Sequence, residues 1–305
     1  MELSISPLAG SFGAQVNHDL SRTEAFAMAS ALTAALHRFR VLIFPEQHLN
    51  HADLLAAASL FGTVDTDVDR RYAVSGFPGI TTISNIVEDG TRIGIYDGDQ
   101  EEEWHADNSF KPRLTLATLL YSVITPTHGG ETRFTDATQA HADLPADLRD
   151  RIGSLRAVHS IQQLSAQQAA ATGGRSSSAA GTLAGRPEVT HPLAPVHPVT
   201  GARSLLLGSM VVKSIVGLNQ HESDDLLDRL LKHTTSDRYL YGHQWAPGDV
   251  VVWDNHAVLH TASPCDSTRH RRLLFRAAVH GPSAVIPKRL TTGTVDSART
   301  TTVSA

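Results

Sequence analysis

Cysteine is almost absent from this chain of 305 residues, which contains only Cys265. A single thiol excludes an intramolecular disulfide framework, and it also excludes zinc and iron–sulfur sites built from several cysteines. Histidine, by contrast, is abundant, with 17 residues. Any metal ion held by this protein must therefore be bound by imidazole and carboxylate groups.

Blocks of like charge and long apolar runs are also missing. The 26 basic and 31 acidic residues give a net charge of −5, without the basic clusters typical of nucleic-acid-binding proteins. The longest apolar run, at 116–124, is far shorter than the ~20 residues that span a bilayer. The segment MELSISPLAG lacks the basic and apolar regions of a signal peptide. We therefore expect a cytoplasmic protein with no nucleic-acid or membrane partner.

Several common catalytic and nucleotide-binding motifs are absent as well. The sequence contains no GxGxxG after a strand, no GxxxxGK[ST], no HExxH and no GxSxG. These absences argue against a dinucleotide-binding fold, a P-loop, a zincin and an α/β-hydrolase.

Strand patterns dominate what is present. Apolar spacing predicts helices at 23–39 and 222–235 and a third beginning near Asn50. Short runs rich in β-branched residues predict strands at 41–45, 80–86, 115–124, 155–161, 204–208, 237–245, 249–255 and 271–280. Because strands and helices do not alternate strictly, the pattern favours a mainly β fold with flanking helices, as a sandwich or barrel.

Two segments depart from this pattern. Residues 165–190 are rich in Gly, Ser and Ala and do not have the composition of a packed core. Long irregular insertions are either functional lids or disordered segments, and we predict a flexible lid here. The Thr- and Ser-rich stretch 282–305 is predicted to be a poorly ordered tail. The expected organisation is one domain, 1–281, with a lid and a tail.

Two short segments carry candidate metal ligands. His105 and Asp107 are two positions apart in EEEWHADNSF, so on a strand their side chains project to the same face. Much later, WAPGDVVVWDNHAVLH supplies His256 and His260. Two imidazoles and one carboxylate, with three open positions, form the non-haem Fe(II) arrangement. A His-x-Asp pair alone is weak evidence in a chain with so many histidines.

Several segments, in order, make the sequence resemble a known family. They are VLIFPEQHLN, FGTVD, WHADNSFKP, TPTHGGETRFTDA, HPVTGARSLLLG, WAPGDVVVWDN and HRRLLFRAAVHG. Over most of its length the chain is similar to the taurine dioxygenase and aryloxyalkanoate dioxygenase family of Fe(II)- and 2-oxoglutarate-dependent oxygenases. The resemblance implies a double-stranded β-helix core, also called a cupin-like jelly roll.

The resemblance also implies roles for individual residues. His105, Asp107 and His260 match the catalytic iron ligands, while Thr132 and Arg272 match the residues that hold the distal carboxylate of 2-oxoglutarate. Arg276 matches the arginine that binds an anionic group of the substrate. On a strand, positions 272 and 276 share a face, whereas Arg271 is expected on the opposite, exposed face. The implied cofactors are Fe(II), the cosubstrate 2-oxoglutarate and O₂.

The remaining features of these motifs have simpler explanations. Trp253, Asp254 and Asn255 are expected to form a buried structural turn, and His197 a turn that enters a strand. We expect a hydrogen-bonding role for His256. Most other histidines are predicted to be ordinary surface residues, and the acidic run 101–103 a solvated segment.

The implied reaction is the oxidation of a small anionic substrate, by hydroxylation, desaturation or epoxidation, with release of succinate and CO₂. Taurine itself is doubtful, because the loop TVDTDVDRRYAVSG offers Asp67, Asp69, Arg70, Arg71 and Tyr72 but no histidine, and Glu101 replaces an asparagine. A terpenoid or polyketide intermediate of antibiotic or other secondary metabolism is the first hypothesis. An aryloxyalkanoate or alkylsulfonate is the alternative.

Two hypotheses from other classes use the same residues. One is a non-catalytic ligand-binding homologue, and the other is a zinc hydrolase that uses the His-Asp-His set. Relatives of this fold are often dimers or tetramers, which leaves a homo-oligomer open.

Overall fold

The structure is a computed structural model that describes residues 3–10, 12–22, 24–95, 102–162 and 185–281. Its strands are β1 Ser4–Pro7, β2 Ala14–Asn17, β3 Val41–Phe44, β4 Thr63–Val64, β5 Ala73–Val74, β6 Phe77–Ser84, β7 Val87–Glu88, β8 Thr91–Arg92, β9 Ala117–Ile124, β10 Thr132–Asp136, β11 Arg156–His159, β12 Val189–Pro192, β13 Val212–Ile215, β14 Leu240–His243, β15 Val250–Asp254, β16 Val258–Ala262 and β17 Leu273–His280. Most of the predicted lid, through residue 184, and the predicted tail at 282–305 lie outside the described residues.

Three of the six described helices begin at a capping side chain, which is Asn50, Asp136 or Asn219. The helices are α1 Glu24–Ala27, α2 Ala29–Phe39, α3 His51–Ser59, α4 Ala137–Ala142, α5 Ala146–Ile152 and α6 Gln220–Thr234. Asn50 and Asn219 cap α3 and α6, each in a reciprocal capping box with the third helical residue, Asp53 or Glu222. These boxes satisfy backbone N–H groups that have no partner within the helix.

The largest sheet has nine strands in the order β1-β2-β3-β15-β9-β17-β6-β5, with β4 beside β17. Side chains alternate across it. In β15, Val250 and Val252 face one core with α2 and α3, whereas Val251 and Trp253 face the opposite core. Both faces of this strand are therefore covered, which explains its uninterrupted apolar sequence.

A second sheet, in the order β14-β10-β16, faces the first. Phe134 of β10 packs in one core with Leu120, Val251, Trp253 and Leu274 of the large sheet. Its ring lies 5.4 Å from that of Trp253, measured between centroids. The two facing sheets, antiparallel except for the pair β2–β3, form the jelly-roll core predicted from the family resemblance.

A third core lies beside the jelly roll. It contains apolar residues of α4, α5 and α6 together with Ala157, Val212 and Ile215 of the small sheet β12-β11-β13. This sheet includes the residues on both sides of the segment 163–184, since β11 precedes that segment and β12 follows it. Among the described residues, no helix is both long and apolar enough to cross a membrane.

One predicted strand is wrong. Residues 204–208 are buried but form no strand, and only Arg203 makes an isolated bridge, with Val196. The backbone N–H groups of Leu205 and Leu206 donate instead to the carbonyls of Ala137 and Leu193. Buried backbone N–H groups need hydrogen-bond acceptors, and the carbonyls of these two separate segments supply them without a β-ladder. The segment 237–239 is a short 3₁₀ turn that precedes β14.

Candidate active site

His105, Asp107 and His260 come together between the two sheets. The backbone N–H groups of His105 and His260 donate to each other's carbonyls, at 3.0 and 2.9 Å, and so extend the second sheet, β14-β10-β16, by one bridge beside β16. All three side chains are buried, and their ligand atoms lie within 4.8 Å of one another. Gly208 passes over this bridge, where a Cβ would lie 2.9 Å from the Cα of His105.

Neighbouring groups orient the two imidazoles. His105 Nδ1 lies 2.8 Å from the carbonyl oxygen of Glu103, a contact in which the ring donates and which leaves Nε2 as the coordinating atom. The ring of His260 packs between Trp253 and Phe134. Burial, together with the neighbouring His105, lowers the pKa of His260 to about 3. His260 is therefore neutral at pH 7, the state in which imidazole binds a metal.

The carboxylate of Asp107 makes polar contacts through both oxygens. Thr118 donates to Oδ2 at 2.8 Å, and Nη1 of Arg276 donates to Oδ1 at 3.1 Å. Burial opposes ionisation of Asp107, but electrostatic interaction with His260, Arg276 and His105, together with the hydrogen bond from Thr118, outweighs it and holds the pKa of Asp107 below its ordinary value. Asp107 is thus anionic at neutral pH, the state in which a carboxylate binds a metal ion.

This donor set fits Fe(II). Two imidazole nitrogens and one carboxylate converge on a point that a single ion would occupy, and the remaining coordination positions stay available to small ligands. The absence of sulfur ligands agrees with the single cysteine, since Cys265 is buried in a different cluster with Ala262.

Thr132 and Arg272 lie at the start of β10 and just before β17, and both are buried. Trp245 Nε1 donates to the Thr132 hydroxyl at 3.1 Å, which leaves the hydroxyl proton for another acceptor. Gly130 makes room for the arginine, because a Cβ at this position would lie 3.3 Å from the Arg272 Cδ and 3.4 Å from its Nε.

The predicted alternation along β17 agrees with the observed burial. Arg272 is buried, Leu274 contributes to the core between the sheets, and Arg276 reaches Asp107, so even-numbered residues face inward. Arg271 is exposed, as predicted. The Arg276 side chain keeps a quarter of its surface accessible, which leaves part of the guanidinium open to a ligand.

A second cluster, His37, His197 and Asp254, also has metal-ligand composition. His197 Nδ1 accepts hydrogen bonds from the backbone N–H groups of Val199 and Thr200, at 3.0 and 3.1 Å. Its Nε2 therefore carries the proton and donates it to Asp254 Oδ2, at 2.8 Å. His37 Nδ1 lies 2.9 Å from the same oxygen. This cluster is a hydrogen-bond network that fixes the turn after β15, which agrees with the structural turn predicted for Asp254. His197 precedes a turn, as predicted, but the strand expected after that turn does not form.

The prediction that most other histidines are ordinary surface residues holds only in part: of the fifteen histidines other than His105 and His260, three are exposed, seven are partly buried and five are buried. Five histidines outside the triad are buried, namely His141, His159, His191, His197 and His243. The rings of His159, His191, His197 and His243 each make a polar contact, for example His191 Nε2 with the Lys111 carbonyl at 3.0 Å. The sequence position of a histidine does not by itself predict whether its side chain is buried, because imidazole is amphipathic and occurs both in cores and on surfaces.

One of these histidines predicts acid sensitivity of the fold. Burial lowers the pKa of His159 to about 3 from 6.5, with a smaller effect from His191. Below pH 6.5, His159 is protonated in the unfolded chain but stays neutral in the folded protein. The free energy of unfolding therefore falls as the pH falls. The expected loss from this residue between pH 6.5 and 5 is about 2 kcal/mol.

Guanidinium unfolding of wild type and of His159→Gln at several pH values tests this. The variant should lose less stability on acidification, and an exposed-residue control, His221→Gln, should follow wild type. Equal pH dependence of wild type and His159→Gln would contradict the assignment.

The charged loop after β4 is held by ion pairs. Lys111 is buried and donates to Asp65 Oδ2 at 2.7 Å, while Arg186 donates to Asp67 Oδ1 at 2.7 Å. Asp69 pairs with Arg71. The contact between Lys111 and Asp65 connects the loop to the segment that follows Asp107. Glu101 lies outside the described residues.

Comparisons with known proteins agree with this geometry. The profile of the family described as "Taurine catabolism dioxygenase TauD, TfdA family" matches residues 4–278. An (S)-phenoxypropionate/alpha-ketoglutarate-dioxygenase from Sphingobium herbicidovorans is 32% identical over 92% of this chain and 96% of its own. Pentalenolactone F synthase from Streptomyces arenae is 31% identical, over 88% and 93% of the two chains.

A solved structure has the same fold. The crystal structure of a taurine dioxygenase from Burkholderia xenovorans superposes with a TM-score of 0.74 at 29% identity, covering 92% of this chain and 90% of that one. The matched length includes the buried His-Asp-His cluster, Arg272 and Arg276. The chain therefore belongs to the TauD/TfdA family and is an Fe(II)- and 2-oxoglutarate-dependent dioxygenase.

Proposed function

We propose that this enzyme oxidises a small organic acid whose carboxylate or sulfonate binds Arg276. The observation that carries this proposal is the position of Arg276, whose guanidinium lies 3.1 Å from the Asp107 carboxylate and whose side chain is one quarter exposed. An acid bound there has its anionic end beside the metal ligands, so a C–H bond a few atoms away comes within reach of the metal.

In this proposal His105, Asp107 and His260 hold the iron. The bound Fe(II) and 2-oxoglutarate supply the activation of O₂ and the release of succinate and CO₂. Arg272 and the Thr132 hydroxyl bind the distal carboxylate of 2-oxoglutarate. A guanidinium suits this task because its planar fork matches a carboxylate, and burial strengthens the pair. Phe134 and Trp253 exclude water from the His260 side of the site.

The substrate that we favour is bulkier and more apolar than taurine. In the loop that lacks a histidine, the carboxylates of Asp67 and Asp69 are engaged in ion pairs, with Arg186 and Arg71, so they offer little for the ammonium group of a small zwitterion. A natural-product acid, terpenoid or polyketide, is the first candidate, and the likeness to a pentalenolactone F synthase supports it. An aryloxyalkanoate is the second, supported by the likeness to a phenoxypropionate dioxygenase.

A succinate-release screen tests the substrate class directly. Purified enzyme with Fe(II), 2-oxoglutarate and ascorbate is offered matched panels of terpenoid acids, polyketide acids, aryloxyalkanoates and alkylsulfonates, each beside its methyl or ethyl ester. The anionic form should stimulate succinate release and the neutral ester should not. Equal stimulation by acids and esters would refute an anionic anchor at Arg276.

Replacement of Arg276 tests its role in substrate binding. Arg276→Ala should raise the apparent KM for the acid by about 10- to 100-fold, because it removes a charge-assisted hydrogen bond worth about 1.5–3 kcal/mol. The KM for 2-oxoglutarate should stay near normal. Arg271→Gln, which changes an exposed arginine of the same segment, should leave both constants unchanged. If both KM values rose together in Arg276→Ala, separate roles for Arg272 and Arg276 would be wrong.

A further inference from the structure

Asp107 belongs to a closed ring of hydrogen bonds with two other buried residues. Its backbone N–H donates to Asn255 Oδ1 at 3.2 Å. Asn255 Nδ2 donates to the Thr118 hydroxyl at 2.8 Å, and Thr118 donates to Asp107 Oδ2 at 2.8 Å. All three side chains are at least nine-tenths buried. The ring therefore holds both the backbone and the carboxylate of one residue without a water-exposed member.

The direction of every bond in this ring is fixed by its chemistry. Trp253 Nε1 has only a proton to give and donates to Asn255 Oδ1 at 3.0 Å. That oxygen faces two donors, the indole and the Asp107 N–H, so the amide nitrogen must face Thr118. Because the Thr118 hydroxyl accepts from Asn255, its single proton points to Asp107. A reversal at any member would set two donors or two acceptors against each other.

The ring also joins the segments that carry the ligands. Thr118 lies on β9 in the large sheet, and Asn255 follows β15 in the turn that leads to β16, the strand of His260. Asp107 lies in a segment that forms no strand. Contacts from β9 and from the turn after β15 therefore hold a carboxylate whose own segment forms no strand.

We propose that Asn255 and Thr118 are positioning residues for the metal ligand Asp107. They set its rotamer and bind one lone pair of Oδ2, while Arg276 binds Oδ1, so the lone pairs that remain are left for the ion. This inference rests on the proposed role of Asp107 as a ligand. It assigns to Asn255 a role in metal binding in addition to the structural role predicted from the sequence. Loss of such an outer partner costs about 10- to 100-fold in metal affinity.

Co(II) binding measures this role without turnover. Metal-free protein is titrated with Co(II) under argon, and affinity is followed by calorimetry and by the visible d–d absorption of the saturated protein. Thr118→Val keeps the shape but removes the proton donor, so its affinity should fall about 10- to 100-fold and its d–d bands should shift. Thr118→Ser keeps the hydroxyl and should restore both. Thr118→Ala serves as a second variant without a hydroxyl if the valine form is insoluble.

Two further variants separate the possible failures. Thr234→Val removes another fully buried hydroxyl, one that donates to the Leu230 carbonyl in α6, and should bind Co(II) as wild type does. Asp107→Ala tests the ligand itself. If Asp107→Ala loses Co(II) while Thr118→Val binds it with wild-type affinity and spectrum, the positioning role is refuted and the triad stands. If Asp107→Ala keeps wild-type Co(II) binding, the triad assignment fails, and the positioning role fails with it.

Discussion

Asp107→Ala should lower turnover by more than about 100-fold and leave the purified protein without stoichiometric iron. The carboxylate is the only anionic group of the triad, and it also balances the charge of Arg276, whose Nη1 lies 3.1 Å away. Removal of an outer partner of a ligand already costs up to about 100-fold, so removal of the ligand itself should cost more. Succinate release and metal content by mass spectrometry give the two measurements.

The control for this variant is Asp225→Ala, which removes an exposed carboxylate on α6. It should retain both iron and activity. An Asp107→Ala protein that bound iron stoichiometrically and turned over at more than a tenth of the wild-type rate would contradict the assignment of Asp107.

Arg272→Gln should raise the KM for 2-oxoglutarate by roughly 30-fold to several thousand-fold. Truncating one partner of a buried, hydrogen-bonded charge pair costs about 2–5 kcal/mol, and Arg272 is only 1% exposed. Arg272→Lys should lose part of this affinity, because an ammonium keeps the charge but lacks the planar fork. Steady-state kinetics with 2-oxoglutarate varied at saturating acid give the KM.

The KM for the organic acid separates this site from that of Arg276. In Arg272→Gln it should change little, the reverse of the pattern expected for Arg276→Ala. Thermal unfolding of the metal-free variant shows whether the buried substitution disturbs the fold. A folded Arg272→Gln protein with a wild-type KM for 2-oxoglutarate would show that Arg272 does not bind the cosubstrate.

Local patterns predicted the elements best where the cause is local. The capping boxes of α3 and α6 lie within four residues, and both helices form near the predicted positions. The alternation of β17 depends only on strand geometry, so the inward direction of Arg272 and Arg276 follows from their spacing. The strand β15 is apolar on both faces, and its residues 250–254 lie within the predicted 249–255.

Other features depended on distant partners and were missed. Residues 204–208 have a strand-like sequence, yet the carbonyls of Ala137 and Leu193 take the N–H groups of Leu205 and Leu206 that a ladder would use. The contact between Thr118 and Asp107 joins β9 to an irregular segment. The sequences of these two segments do not predict that they meet. The buried state of His159 follows from its packing against Ser109 and His191, not from any periodicity of its own.

The sequence alone determined which groups are available: one thiol, many imidazoles, a His-x-Asp pair, a late histidine and two arginines four positions apart. Together with the order of its motifs, that was sufficient to predict the family and the jelly-roll fold. Only the tertiary structure decided which of two His-His-Asp clusters is suited to a metal. The reason is that coordination requires an unprotonated nitrogen, and the hydrogen-bond partners of His105 and His197, which come from the folded chain, decide which nitrogen carries the proton.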